Sequence, residues 1–141
     1  QRWYVLAQSE YPDGRLLVYS LDRFTEVERT DISYTIPAYF DVNEHFRSFY
    51  GVSCISNAQP EIVQLRIDAS QVKFFRTLPL HHSQEEIETT DAYSVFQYYL
   101  VPTFELTKEI LSNGPFIEVL RPLSLREEIQ SKAKQMAEMY K

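Results

Sequence analysis

A single cysteine, Cys54, stands in a chain of 141 residues, so no internal disulfide can form. A reducing cytoplasm is the expected setting, and Cys54 reads as a core thiol, not a nucleophile. Glycine is almost as scarce, with three residues. That excludes a Gly-rich phosphate-cradling loop and leaves little of the chain for flexible linker. No apolar run approaches the roughly 18 residues needed to span a membrane, and no basic n-region followed by an apolar h-region opens the sequence. A nucleophile elbow is missing too. Basic charge is in deficit: 14 Lys and Arg stand against 20 Asp and Glu, net −6. A protein that grips duplex DNA unaided needs a basic surface to displace counterions, and neither half of this chain offers the excess.

What the chain does have is aromatic bulk, with ten tyrosines and nine phenylalanines. Residues 2–8 and 15–20 read as two strands joined by Tyr11-Pro12-Asp13-Gly14, where Pro fixes φ and Gly supplies a positive φ. Residues 23–30 read as a third strand with one wet face carrying Glu26, Glu28 and Arg29, and 31–39 as a connector broken by Pro37. The box Asp41-Val42-Asn43-Glu44 opens a short helix through Phe46, Phe49 and Tyr50, stopped by Gly51.

Beyond Pro60 the pattern changes. Val63, Leu65 and Ile67 alternate with polar residues as in a strand. Asp68, with Gln71 three positions on, caps a helix that buries Val72 and Phe75. His82 to Thr89 suits a polar edge strand, and Tyr93 to Val101 a central one. Thr103 caps a helix carrying Phe104, Ile110 and Leu111, ended by Asn113-Gly114, before a last strand over Phe116 to Leu120. Pro122 and the box Ser124-x-x-Glu127 begin a final helix with the stripe Leu125, Ile129, Met136 and Tyr140. From 61 to 120 the order is β-α-β-β-α-β, a ferredoxin-like pattern that hosts many unrelated functions.

Two groups of residues carry a family resemblance. Arg2-Trp3-Tyr4-Val5-Leu6, followed by Tyr19-Ser20-Leu21-Asp22-Arg23-Phe24, resembles the second half of a WYL domain, a small Sm-like β-barrel of bacterial transcriptional regulators. The run Phe116 to Pro122 followed by Leu125-Arg126-Glu127-Glu128-Ile129 is similar to the end of the ferredoxin-like C-terminal extension called WCX, and Pro79-Leu80-His81-His82-Ser83-Gln84 resembles a stretch of one branch of that family. The resemblance implies an α+β chain: a partial Sm-like barrel plus connector over 1–39, then a WCX-type ferredoxin-like extension with its C-terminal helix over 40–141. It places Gln1 mid-domain, with a helix-turn-helix domain expected upstream as the only route to duplex DNA.

The same resemblance assigns the chemistry. Arg23 lies where the family's barrel pocket is thought to bind a regulatory ligand, with Tyr4, Tyr19 and Ser20 beside it. A guanidinium there can take phosphate or carboxylate bidentately; alternatively, Arg23 pairs with Asp22 or a surface Glu. Many members carry further arginines on this strand where Leu17 and Ser20 stand here, which points to a smaller or less charged ligand. Trp3 reads as a core residue more than a stacking platform. His81, Ser83 and Gln84 offer neutral hydrogen bonds at an edge facing a ligand or a second subunit. A metal reading fails on geometry, since adjacent strand histidines diverge and zinc needs three or four convergent ligands.

The expected function is the ligand-sensing and oligomerisation region of a WYL-type regulator, its effector a single-stranded nucleic acid or a nucleotide. A dimerisation module without a working pocket is the alternative. A small-molecule enzyme is the third reading, for which no catalytic residue, metal site or cofactor motif is found.

Overall fold

The computed structural model describes residues 2–8, 15–36, 38–53, 55 and 58–141. The expected turn at Tyr11-Pro12-Asp13-Gly14, Pro37 and Cys54 lie outside them. Strands β1 (Tyr4–Gln8) and β2 (Leu16–Ser20) pair antiparallel in the register Tyr4↔Ser20 to Gln8↔Leu16. A hydrogen bond from Leu21 N to Trp3 O (3.0 Å) closes the open end of the ladder. The chain then makes one 3₁₀ turn, Leu21–Arg23, held by Phe24 N on Leu21 O.

The third strand expected over 23–30 does not form. Arg23 ends the 3₁₀ turn, residues 24–30 have no regular structure, and all are exposed. The physical reason is the lack of a partner: a lone strand leaves its N–H and C=O groups to water, and two apolar residues among charged ones offer no face worth burying.

Helix α1 (Val42–Phe46) starts where its cap predicts, with Asp41 Oδ1 accepting from Asn43 N (2.7 Å) and Glu44 N (3.2 Å). It ends earlier than expected. Glu44 pairs with Arg47 (3.1 Å) instead of returning to the cap, and Phe49 leaves the helix to bridge Val101.

The rest is a two-layer unit: β3 (Glu61–Asp68), α2 (Ala69–Thr77), β4 (Glu85–Thr89), β5 (Tyr93–Leu100), α3 (Phe104–Ser112) and β6 (Ile117–Arg121), followed by α4 (Leu123–Glu138). The antiparallel sheet runs β4-β5-β3-β6, the ferredoxin-like order. Side chains alternate across a strand, so Val63, Leu65 and Ile67 of β3 align with Phe96 and Tyr98 of β5 on one face. Val72 and Phe75 of α2, Leu106 and Ile110 of α3 and Leu125 of α4 close that core. Each buried aliphatic or aromatic group contributes roughly 1.5–3 kcal/mol relative to exposure.

The opposite face carries a tied polar cluster beside Ile62, Val95 and Tyr99. Glu88 accepts from the Tyr93 hydroxyl (2.8 Å), Arg66 lies over the Tyr93 ring and pairs with Glu118, and Glu118 also takes Arg126 of α4 (2.8 Å). Arg126 further donates to Val119 O (2.6 Å), so α4 shields the β6 edge. The β4 edge is short, bulged between Glu86 and Glu88, and acidic, which discourages pairing with another strand.

Two helix expectations change. Pro122, not Ser124, is the N-cap of α4, and it makes no side-chain bond, so the Ser124–Glu127 box is not made. The apolar stripe of α4 is buried only at Leu125 and half-buried at Ile129; Met136 and Tyr140 stay exposed.

Candidate functional site

The residues expected to form a ligand pocket lie on and beside the β1–β2 hairpin. Tyr4 and Ser20 are directly opposed and share one face; Tyr19 opposes Val5 on the other. The hairpin therefore brings Tyr4 and Ser20 together and turns Tyr19 away from both. The Ser20 hydroxyl donates to Asp22, which lowers the Asp22 carboxyl pKa against slight desolvation, with Arg2 (3.8 Å) and Arg23 adding in the same direction. Arg23 is exposed at the end of the 3₁₀ turn and makes no ion pair or hydrogen bond of its own among the described residues. Asp22 is engaged by Arg2 and Ser20 instead. Trp3, expected in a core, is 71% exposed, because nothing among the described residues covers that face of the hairpin.

His81, His82, Ser83 and Gln84 lie in the turn before β4, not on the strand, and the two imidazoles do not diverge. Their ring centroids are 4.2 Å apart, and both Nε2 atoms lie 2.8 Å from the carbonyl oxygen of Arg47. A carbonyl only accepts, so both Nε2 atoms carry the proton. His81 Nδ1 is then the acceptor, for Ser83 N (3.3 Å) and the Ser83 hydroxyl (2.7 Å). Burial lowers the His81 pKa, and neighbouring His82 lowers it further, opposed by the bond to Arg47 O. Ser83 Oγ also accepts from Tyr99 N (3.0 Å) beyond the end of β4.

Gln84 ties three segments together. Its amide donates to Phe75 O (2.7 Å) at the end of α2, and its oxygen accepts from Leu80 N (3.1 Å) and the Tyr98 hydroxyl (3.0 Å). Desolvation keeps the Tyr98 hydroxyl protonated far above its ordinary range. The side-chain hydrogen bonds of His81, Ser83 and Gln84 are thus made inside the chain.

Arg47 O, the shared target of His81 and His82, belongs to a feature with no mark in the sequence pattern: residues 47–53 form a strap tied across the ferredoxin-like unit. One end is held by the two histidines on Arg47 O and by Val101 N on Ser48 O (2.7 Å). In the middle, Thr103 Oγ1 donates to Tyr50 O (2.7 Å). At the far end Glu105 Oε1 accepts from Ser53 N (3.1 Å) and Ser53 Oγ (2.6 Å). Burial raises the Glu105 pKa, but those bonds outweigh it and the net shift is downward. Gly51 is required between these ties: its φ is +87°, and a Cβ there would sit 2.7 Å from Glu105 Cγ. Tyr50, half-buried beside Glu109, has its hydroxyl pushed up to about 12, by burial first and the carboxylate second. The signal available in sequence was Gly51 itself, one of only three glycines, read as a helix stop.

Among the described residues no group of three or more His, Cys, Asp or Glu could hold a metal ion, and no helix is long and apolar enough to cross a membrane. None of the curated proteins compared with the chain matches it. The WCX domain family matches residues 59–137, which takes in the whole four-stranded unit and nearly all of α4. The chain therefore belongs to the WCX domain family, the extension associated with WYL-type regulators.

Proposed function

We propose that this chain is the ligand-sensing and oligomerisation region of a cytoplasmic WYL-type transcriptional regulator, its effector a single-stranded nucleic acid or a nucleotide, with duplex DNA contacted through a separate domain. The observation that carries the reading is Arg23. It is an exposed guanidinium with no ion pair among the described residues, at the end of the WYL-like Leu21-Asp22-Arg23 stretch, upstream of a WCX unit. Tyr4 and Ser20 share one face of the hairpin that leads to it. An effector can shift DNA affinity only if it binds one arrangement of the domains better than another. The strap, fixed at both ends, is the element that would carry such a preference from the hairpin to the extension.

The test is fluorescence anisotropy with labelled oligothymidylate and with nucleoside phosphates, on the protein extended to a whole barrel. Arg23→Ala should weaken binding by roughly 1.5–3 kcal/mol, the range for a charge-assisted hydrogen bond, or about ten- to a hundredfold. Arg29→Ala is the charge-matched control and should change affinity little. Equal effects of the two substitutions would reduce Arg23 to general electrostatics. The second reading, an interaction module without a working pocket, is favoured by one observation: Tyr19 faces away from Tyr4 and Ser20. Unchanged affinity in Arg23→Ala would put that reading ahead.

A further inference from the structure

The far end of α4 leaves apolar side chains exposed beside a groove. Between α3 and α4 runs a groove of about 370 Å³ lined by Phe104, Thr107, Leu111 and Met136, with Lys108 and Lys132 at its rim. Phe104 is 67% and Met136 48% exposed, and Met139 (80%) and Tyr140 (87%) follow just past the end of α4. The floor asks for no polar partner, since Thr107 Oγ1 and Ser112 Oγ donate to carbonyls of their own helix. On the outer sheet face, by contrast, Tyr93, Arg66, Glu118 and Arg126 are tied to one another.

We propose that this groove docks an amphipathic helix with acidic flanks, supplied by another protein. Phe104, Lys108 and Leu111 repeat at i, i+4 and i+7 along about 10 Å of helix, and Lys132 with Met136 repeats at i, i+4 on the facing one. Two such ridges make a trough that a third helix fills by its own i, i+3/i+4, i+7 anchors. Methionine side chains at the mouth adapt to the anchors they meet. Charge selects the flanks. In a chain of net −6 the rim carries two lysines, of which Lys132 is shared with Glu128 (3.7 Å) and Lys108 has no ion pair among the described residues. A second copy of this chain is a poor occupant. Its unburied apolar helix end, residues 132–141, brings Lys132, Lys134 and Lys141 against Glu138 alone, so positive would meet positive. Two lysines are also too few to hold a phosphate backbone.

The experiment uses two fluorescein-labelled helical peptides of about 15 residues, long enough to hold helix on docking, with identical leucine anchors and flanks of either glutamate or lysine. The acidic peptide should bind the chain, lose affinity as salt rises, and weaken about tenfold in the Lys108→Glu/Lys132→Glu double variant. Phe104→Ser or Met136→Ser should also weaken it while the circular dichroism stays native, since neither side chain belongs to the buried core. Equal binding of the two peptides, binding of neither, or acidic-peptide binding that ignores the lysine changes would overturn the proposal. Sedimentation equilibrium supplies the remaining outcome: a dimer dissociated by Phe104→Glu or Met136→Glu would show a second copy in the groove, and would equally overturn it.

Discussion

The hairpin and the four-stranded unit are written in similar residues yet differ in what they bury. Tyr4 and Leu6 face one side of the hairpin and the equally apolar Val5 and Ala7 the other, whereas Val63, Leu65 and Ile67 alternate with polar Gln64 and Arg66. In β3 the three aliphatic residues are fully buried, whereas no described residue of β1 or β2 reaches that class. The difference is the second layer. Helices α2 and α3 cover one face of the large sheet, while the hairpin shows apolar side chains on both faces, Tyr4 on one and Tyr19 on the other. Alternation decides which side chains share a face, but burial needs something to pack against. The stability of this chain therefore resides in the WCX unit, and the hairpin's apolar faces stay exposed among the described residues.

The contrast is sharpest under truncation. Leu65→Ala should cost about 2–5 kcal/mol, the range for a fully buried leucine whose cavity cannot collapse. Val18→Ala, in a two-stranded sheet, should cost less than about 1 kcal/mol. Urea unfolding followed by far-UV circular dichroism measures both. Trp3, the single tryptophan, sits on the hairpin and reports that region separately by fluorescence. Two non-coincident transitions are expected, the Trp3 signal moving first and unaffected by Leu65→Ala. Coincident curves with equal shifts would break the comparison and make hairpin and sheet one cooperative unit.

A smaller effect distinguishes the inner and outer polar pairs of the same unit. Gln84→Ala removes one donor and one acceptor from a half-buried site and strands Phe75 O, Leu80 N and the Tyr98 hydroxyl. The expected cost is about 1–3 kcal/mol, dominated by the unsatisfied partners. Gln97→Ala breaks only the Gln64–Gln97 amide bond (2.8 Å) on the open face, where water can replace it, and should cost no more than about 1 kcal/mol. Amide exchange should show Leu80 losing protection in the first variant and not in the second. The reverse order of costs would mean that the Gln84 junction is wetter than its geometry indicates.

Periodicity made the sheet legible. The alternation of 63–67, the aromatic run 93–101 and the caps Asp68 and Thr103 place β3, β5, α2 and α3 to within a residue or two, because each signal is local and the packing agrees with it. The expected strand over 23–30 and the buried stripe of α4 failed for one reason: both patterns needed a neighbour that sequence spacing cannot supply. The strap was invisible for another. Its ties run from side chains at 81, 82, 103 and 105 to backbone atoms at 47–53, and a backbone carbonyl leaves no mark on the sequence. Strand geometry would splay His81 and His82 apart, whereas the turn they occupy brings them together. One turn residue earlier or later decides whether two imidazoles splay or meet.

Those imidazoles give the smallest effect, and it is a pH dependence. The His81 pKa lies below its ordinary 6.5 in the folded chain, from burial first and from His82 second. Above 6.5 neither state binds the proton, so the contribution of His81 to stability is fully present. As pH falls below 6.5 the unfolded chain takes up a proton that the folded chain refuses, and stability declines until the folded pKa is passed. Glu86 acts in the same direction in a later window. Hydrogen bonding from Arg76 holds its carboxyl at about 2 instead of 4.5, so stability present above 4.5 is lost as pH falls toward 2. A plot of urea midpoint against pH should therefore slope downward in two stages as acid is added. His81→Gln should flatten the first stage and leave the second; Arg76→Gln should do the opposite. The hairpin offers the control: Asp22, lowered mainly by Ser20, is fully exposed, so Ser20→Ala should leave both stages of the sheet signal in place. If His81→Gln left the first slope intact, the proton would be refused at another group and not at His81.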